Sequence, residues 1–215
     1  MISLLIDHAE NAQATCILAH GAGAPMDSDF MNQMAALLAA KNISVVRFEF
    51  PYMVERRETG KKRPPNPQLQ LLECWRQVFG QVSQHQELPA PIFMGGKSMG
   101  GRMATLLAEE LKPAGVIALG YPFHPAGKPE KLRTEHLGQG EVPHLIVQGT
   151  RDALGNKEEV DGYHLGSHIQ LCWLEDGDHD LKPRKKSGFS HEQHLESAAQ
   201  AICDFVKACL LQGFS

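Results

Sequence analysis

Short apolar runs alternate with amphipathic stretches along the whole chain. Residues 15–19 (TCILA), 44–50 (SVVRFEF), 92–95 (IFMG), 115–119 (GVIAL), 144–148 (HLIVQ) and 168–173 (HIQLCW) predict strands, with a short leading strand at 2–6. Their largely continuous apolar character suits strands covered on both faces. Between them the apolar positions recur at helical spacing: Phe30, Met34, Leu37 and Leu38; then Leu69, Leu72, Trp75, Phe79 and Val82; then Met103, Leu106, Leu107 and Leu111. The second of these helices is predicted to start at Asn66-Pro67, a cap followed by a first-turn proline. A last helix carries Leu195, Ala198, Ile202, Phe205, Val206 and Cys209, and Ser190-His191-Glu192-Gln193 reads as its capping box. Strand–helix alternation without repeat or linker predicts one α/β domain over 1–215. Its sheet is doubly wound and mostly parallel, of about seven strands, with helices on both faces. Ligands of such sheets bind beyond the carboxyl ends of the strands, so the loops after each strand are where chemistry is expected.

Composition narrows the function classes. A net charge of −4 over 215 residues gives no overall case for a nucleic-acid partner or an acidic membrane surface. The five cysteines are scattered, odd in number and without a CxxC pair, as expected of reduced thiols rather than a disulfide framework or zinc site. The opening MISLLIDHAE lacks the basic and long apolar parts of a signal peptide. No apolar run approaches the roughly 18 residues of a membrane span. The expectation is a cytoplasmic protein away from membranes; its oligomeric state is not legible.

The loop after the third of the long apolar runs reads GGKSMGGR, and a glycine cluster of this kind costs backbone entropy. Gly96-Lys97-Ser98-Met99-Gly100 fits G-x-S-x-G between a predicted strand and a predicted helix. A sharp turn there strains the serine backbone and lifts the hydroxyl clear of the sheet, while the Met99 N–H faces a developing oxyanion. A bare serine hydroxyl needs a base, and the base an orienting acid. Asp152 follows strand 144–148, and His179 follows strand 168–173, giving the chain order Ser, Asp, His. Singly, Asp152 is also an ordinary turn aspartate and His179 an ordinary loop histidine; all three in order, each after its own strand, is far less common by chance. His144 and His168 fall at strand starts, and His191 and His194 on the last helix. His124 precedes the aspartate, which breaks the order, and is expected only to line the pocket. The loop His20-Gly21-Ala22-Gly23-Ala24 is expected to give the second oxyanion donor, Ala22 or else Gly23, with His20 fixing the loop. Lys97 is expected beside the substrate. No metal or organic cofactor is called for.

These segments carry a resemblance. HGAGAPMDSDFM, GGKSMGGRMA, YPFHPAGKPEKLRTEHL, VQGTRDALG and DGDHDLKP resemble the alpha/beta-hydrolase superfamily, and within it the small, cap-less group near the dienelactone hydrolases. More narrowly they resemble a bacterial group of predicted hydrolases related to a vertebrate testis-expressed protein and to a chromatin-complex subunit. The resemblance runs over about residues 15–207 and implies hydrolase chemistry at Ser98, Asp152 and His179, without naming a substrate. Dienelactone hydrolases proper have a cysteine where this chain has Ser98, so their reaction does not carry over. Residues 120–143 leave room for one short helix, not a lid.

Basic residues gather after three strands: Arg56, Arg57, Lys61, Lys62 and Arg63; Lys128, Lys131 and Arg133; Lys182, Arg184, Lys185 and Lys186. Either they ring the mouth of the site and favour anionic substrates, or they are solvated loop charge. Two functions follow. One is a serine hydrolase of the carboxylesterase or thioesterase kind, acting on an acyl ester or thioester of a small molecule. The other is a hydrolase-like scaffold docking an acidic partner through its basic face.

Overall fold

The computed structural model describes residues 1–212. In chain order the elements are β1 (Leu4–Asp7), β2 (Ala14–Ala19), α1 (Asp29–Ala39), β3 (Ile43–Phe48), α2 (Pro51–Thr59), α3 (Gln68–Ser83), β4 (Ile92–Lys97), α4 (Met99–Leu111), β5 (Gly115–Leu119), β6 (His144–Gly149), α5 (Lys157–Val160), β7 (Ile169–Leu174) and α6 (His191–Gln212). The strands form a seven-stranded sheet in the order β1-β3-β2-β4-β5-β6-β7, in which β1 is antiparallel to β3 and the other pairs are parallel. This is the alpha/beta-hydrolase architecture expected. Between β5 and β6 the chain forms only the single 3-10 turn Glu135–Leu137, and among the described residues no lid covers the sheet. Among the described residues no helix is long and apolar enough to cross a membrane.

The central strands β2 to β6 are buried on both faces apart from Ile92 at the start of β4. Side chains of α1 and α6 form one core with them (Met34, Leu38, Ile202 and Val206). Those of α3 and α4 form the other (Leu71, Trp75, Met103 and Leu107). After β2 the chain turns aside to β3 and then crosses back to place β4 on the other edge of β2. The winding reverses between β2 and β4, and their carboxyl ends open the crevice where ligands of such sheets bind.

One element is new and two local expectations are corrected. Residues 51–59 form helix α2, starting with Pro51 at its first turn and ended by Gly60 at φ 70°. Its charged sequence buries only Tyr52 and Met53. Asn66 does not cap α3: its Oδ1 accepts the Tyr52 N–H at 2.8 Å, capping α2 from a distance, and Pro67 stands before α3. Leu69 is 78% exposed; it lies about 200° round the helix from Leu71, which anchors the buried face with Leu72, Trp75, Val78 and Val82. The α6 capping box is present, with Ser190 and Gln193 exchanging side-chain-to-backbone bonds at 3.2 and 2.8 Å.

Candidate active site

Ser98 is the single residue between β4 and α4. Its backbone sits at φ 51°, ψ −115°, a conformation that costs a non-glycine residue about 1–3 kcal/mol. The turn is held by Ser98 N–H donating to Leu119 O at 2.9 Å and by Arg102 N–H donating to Ser98 O at 3.0 Å. The glycines let the neighbouring backbones close in. A Cβ on Gly100 would stand 2.6 Å from the carbonyl oxygens of Ala19 and His20, and one on Gly96 would strike Ala19 O. Both contacts are at the end of β2, so the elbow is wedged into the reversal point of the sheet.

The loops after β6 and β7 bring two side chains to that serine. His179 Nε2 lies 2.8 Å from Ser98 Oγ, and His179 Nδ1 lies 2.8 Å from Asp152 Oδ2. Asp152 is wholly buried. Its Oδ1 accepts the Leu154 N–H at 2.8 Å, and its Oδ2 also accepts from Gln148 Nε2 at 2.9 Å. A buried carboxylate with its lone pairs engaged favours the imidazole tautomer with hydrogen on Nδ1, leaving Nε2 to accept from the serine. The rival carboxylates are otherwise engaged: Asp178 Oδ1 accepts the N–H groups of Asp180 and Lys182, and Asp180 pairs with Lys97. Sequence reasoning passed over Gln148, whose signal was one polar residue closing an apolar strand.

Met99 opens α4, so its N–H has no acceptor within the helix. The facing loop, 20–24, is fixed from behind. His20 is buried; its Nε2 accepts the Phe50 N–H at 3.1 Å, which makes Nδ1 the donor to Gly21 O at 2.7 Å. Burial lowers the His20 pKa and keeps the ring neutral in that role. Tyr52, on α2, donates its hydroxyl to Ala22 O at 3.0 Å, and Arg56 Nη1 donates to Gly23 O at 3.2 Å. With those carbonyls held outward, the exposed Ala22 and Gly23 stay at the rim of the crevice.

Residues 12–207 match the family model of the alpha/beta hydrolase domain. The chain belongs to the alpha/beta hydrolase family. Solved structures share the fold at low identity. Est1E of Butyrivibrio proteoclasticus with ferulic acid bound is 16% identical, with a TM-score of 0.73 over 98% of this chain and 96% of that one. XC6422 of Xanthomonas campestris, described as an alpha/beta serine hydrolase without lid, is 20% identical, with a TM-score of 0.67 over 92% and 86%. A dienelactone hydrolase of Anabaena variabilis is 17% identical, with a TM-score of 0.70 over 94% and 88%.

In this alpha/beta hydrolase the open crevice has two arms meeting at Ser98. One, about 400 Å³, runs past Gly21, Phe30, Lys97 and His179. The other, about 450 Å³, runs past Met99, Arg102, Pro125 and Arg133. A larger hollow of about 750 Å³, against Ile2, Val54 and Leu69, includes none of the residues placed at Ser98. Lys97 lines the first arm, but its Nζ donates to His179 O at 2.7 Å and pairs with Asp180 at 3.1 Å. Burial lowers the Lys97 pKa, and the Asp180 charge works against that shift. His124 does not line either arm. It is buried, with Nδ1 2.9 Å from Pro125 O and Nε2 3.4 Å from Glu159. Nor do the three basic loops ring the two arms: of their residues only Arg133 lines one, and three others are paired with carboxylates. Arg57 pairs with Glu49 and Asp27, Arg63 with Glu55, and Arg184 with Asp176.

Proposed function

We propose that the chain is a serine hydrolase that cleaves an acyl ester or thioester bond of a small molecule. Ser98 is the nucleophile, His179 the base that takes its proton and returns it to the leaving group, and Asp152 the acid that orients the imidazole and stabilises its cation. The N–H groups of Met99 and Ala22 receive the oxyanion. The observation that carries this reading is the unbroken run of hydrogen bonds from Ser98 through His179 to Asp152, at 2.8 Å each. It starts at a serine held in a strained backbone conformation. A scaffold gains nothing from that strain. The reaction needs no metal or organic cofactor, and both halves of the substrate have an arm of the crevice.

A fluorophosphonate probe tests the reading. The folded protein is expected to be labelled at Ser98 at neutral pH, and Ser98→Ala, with an unchanged melting temperature, is not. Folded wild-type protein that stays unlabelled would overturn it and leave the scaffold function.

A further inference from the structure

Arg102 and Arg133 face the same arm of the crevice as Ser98 and Met99. Arg102 lies one helical turn beyond Ser98 on α4. Arg133 projects from the loop before the 3-10 turn, its backbone clamped by Arg133 N–H to Phe123 O at 2.8 Å and by the Tyr121 hydroxyl to Arg133 O at 2.8 Å. Arg47, Arg57, Arg63, Arg76, Arg151 and Arg184 each meet a carboxylate within 4 Å. Among the described residues neither Arg102 nor Arg133 has one. The Arg102 Nη1 donates to Gln68 Oε1 at 3.3 Å, the Tyr121 hydroxyl lies beside the guanidinium, and the buried Nε has no partner. Burial and the nearby Arg102 charge both lower the Arg133 pKa. Two partly buried like charges without a counter-ion cost stability in the empty protein, and an anion between them would relieve it.

Resting on the hydrolase reading, we infer that Arg102 and Arg133 form a subsite for an anionic oxygen-bearing group of the substrate, a carboxylate or a phosphate. The guanidinium fork suits both. One short arm holds the nucleophile and both arginines, so the anion and the scissile carbonyl belong to a compact molecule such as a half-ester of a small dicarboxylic acid. The selectivity comes from this pair rather than from the loops at 56–63 and 182–186.

The test compares kcat/KM for p-nitrophenyl valerate, mono-p-nitrophenyl glutarate and a phosphate-bearing p-nitrophenyl ester of similar length. A charge-assisted hydrogen bond is worth roughly tenfold to a hundredfold. Wild type is expected to prefer at least one anionic ester by about that factor. The ratio of the glutarate and phosphate esters tells the two anions apart. Arg133→Gln should lower the anionic rate at least about tenfold more than the neutral rate, and Arg102→Gln should do the same if it folds. Equal rates on all three esters, or equal losses in the variants, would overturn the subsite. Binding is read separately, as a rise in melting temperature with glutarate or inorganic phosphate in wild type but not in Arg133→Gln. That shift in a protein that turns over no ester and takes no fluorophosphonate would uphold the subsite while refuting the hydrolase.

Discussion

Lys97 precedes the serine, and its side chain reaches back to the main chain of the histidine. Its Nζ bonds to His179 O and Asp180 and lies 5.6 Å from the centre of the Phe30 ring. The strand that leads into Ser98 is thereby tied to the loop that carries His179. Lys97→Met removes that tie with little loss of volume. A displacement of about 1 Å at a reacting group costs on the order of 10²-fold in rate. Steady-state kinetics with a neutral ester should therefore show kcat lowered by roughly that factor and KM little changed. A raised KM with kcat intact would instead make Lys97 a contact of the substrate. That Ser98, Asp152 and His179 would meet was legible in the sequence, because each follows an apolar run in the required order. The role of Lys97 was not, because nothing in GGKSMGGR shows that its ammonium turns inward toward residue 179. His124 misled for the same reason: a loop histidine near a strand end looks alike whether it faces ligand or, as here, Glu159.

Elements were legible where apolar spacing was strong and hidden where it was weak. Helix α2 buries two residues, so no periodicity announces it, although it carries Tyr52 and Arg56, which hold the loop 21–23. Its cap, Asn66, belongs by sequence to the next helix. The start of β6 is fastened in a similarly non-local way. Glu109, on α4, accepts the N–H groups of Glu141 and Val142 at 2.8 and 3.0 Å. The ring of His144 donates from Nδ1 to Val142 O at 2.7 Å. Both groups titrate away from their ordinary values. The Lys112 ammonium, then the two N–H groups, lower the Glu109 pKa to about 2; burial lowers that of His144 to about 4. Each shift makes the unfolded chain bind protons first, so stability falls as pH falls. The histidine part is complete above about pH 6.5 and lost toward 4, and the glutamate part is complete above about 4.5 and lost toward 2. Urea unfolding across this range should show a two-stage acid decline. Glu109→Gln should flatten the lower stage and leave the upper one. An unchanged lower stage would remove Glu109 from that role.

For the whole molecule, the alternation of runs gave a parallel sheet with helices on both faces, but not the order of its strands. Apolar runs of similar length do not say which neighbours which. The antiparallel β1 and the return of β4 to the far side of β2 are fixed by pairing and packing across many residues. The core also governs the cysteines. All five are free, and Cys16, Cys74 and Cys203 are buried; burial pushes the thiols of Cys16 and Cys74 up to about 12. The thiolate is the reactive form. In a 5,5′-dithiobis(2-nitrobenzoate) assay at neutral pH these three should react only after unfolding, and a reductant should leave the melting temperature unchanged. Fast reaction of all five in the native protein would refute that packing. The closeness of Gly96 and Gly100 to the end of β2 has a further consequence for anyone remaking the protein. Diversity introduced at Gly95, Gly96, Gly100 and Gly101 meets neighbouring backbone, and most members of such a library will not fold. The wall at 125–133 meets largely solvent beyond its anchored points. That wall can therefore be varied widely while Ser98, Asp152 and His179 keep their places.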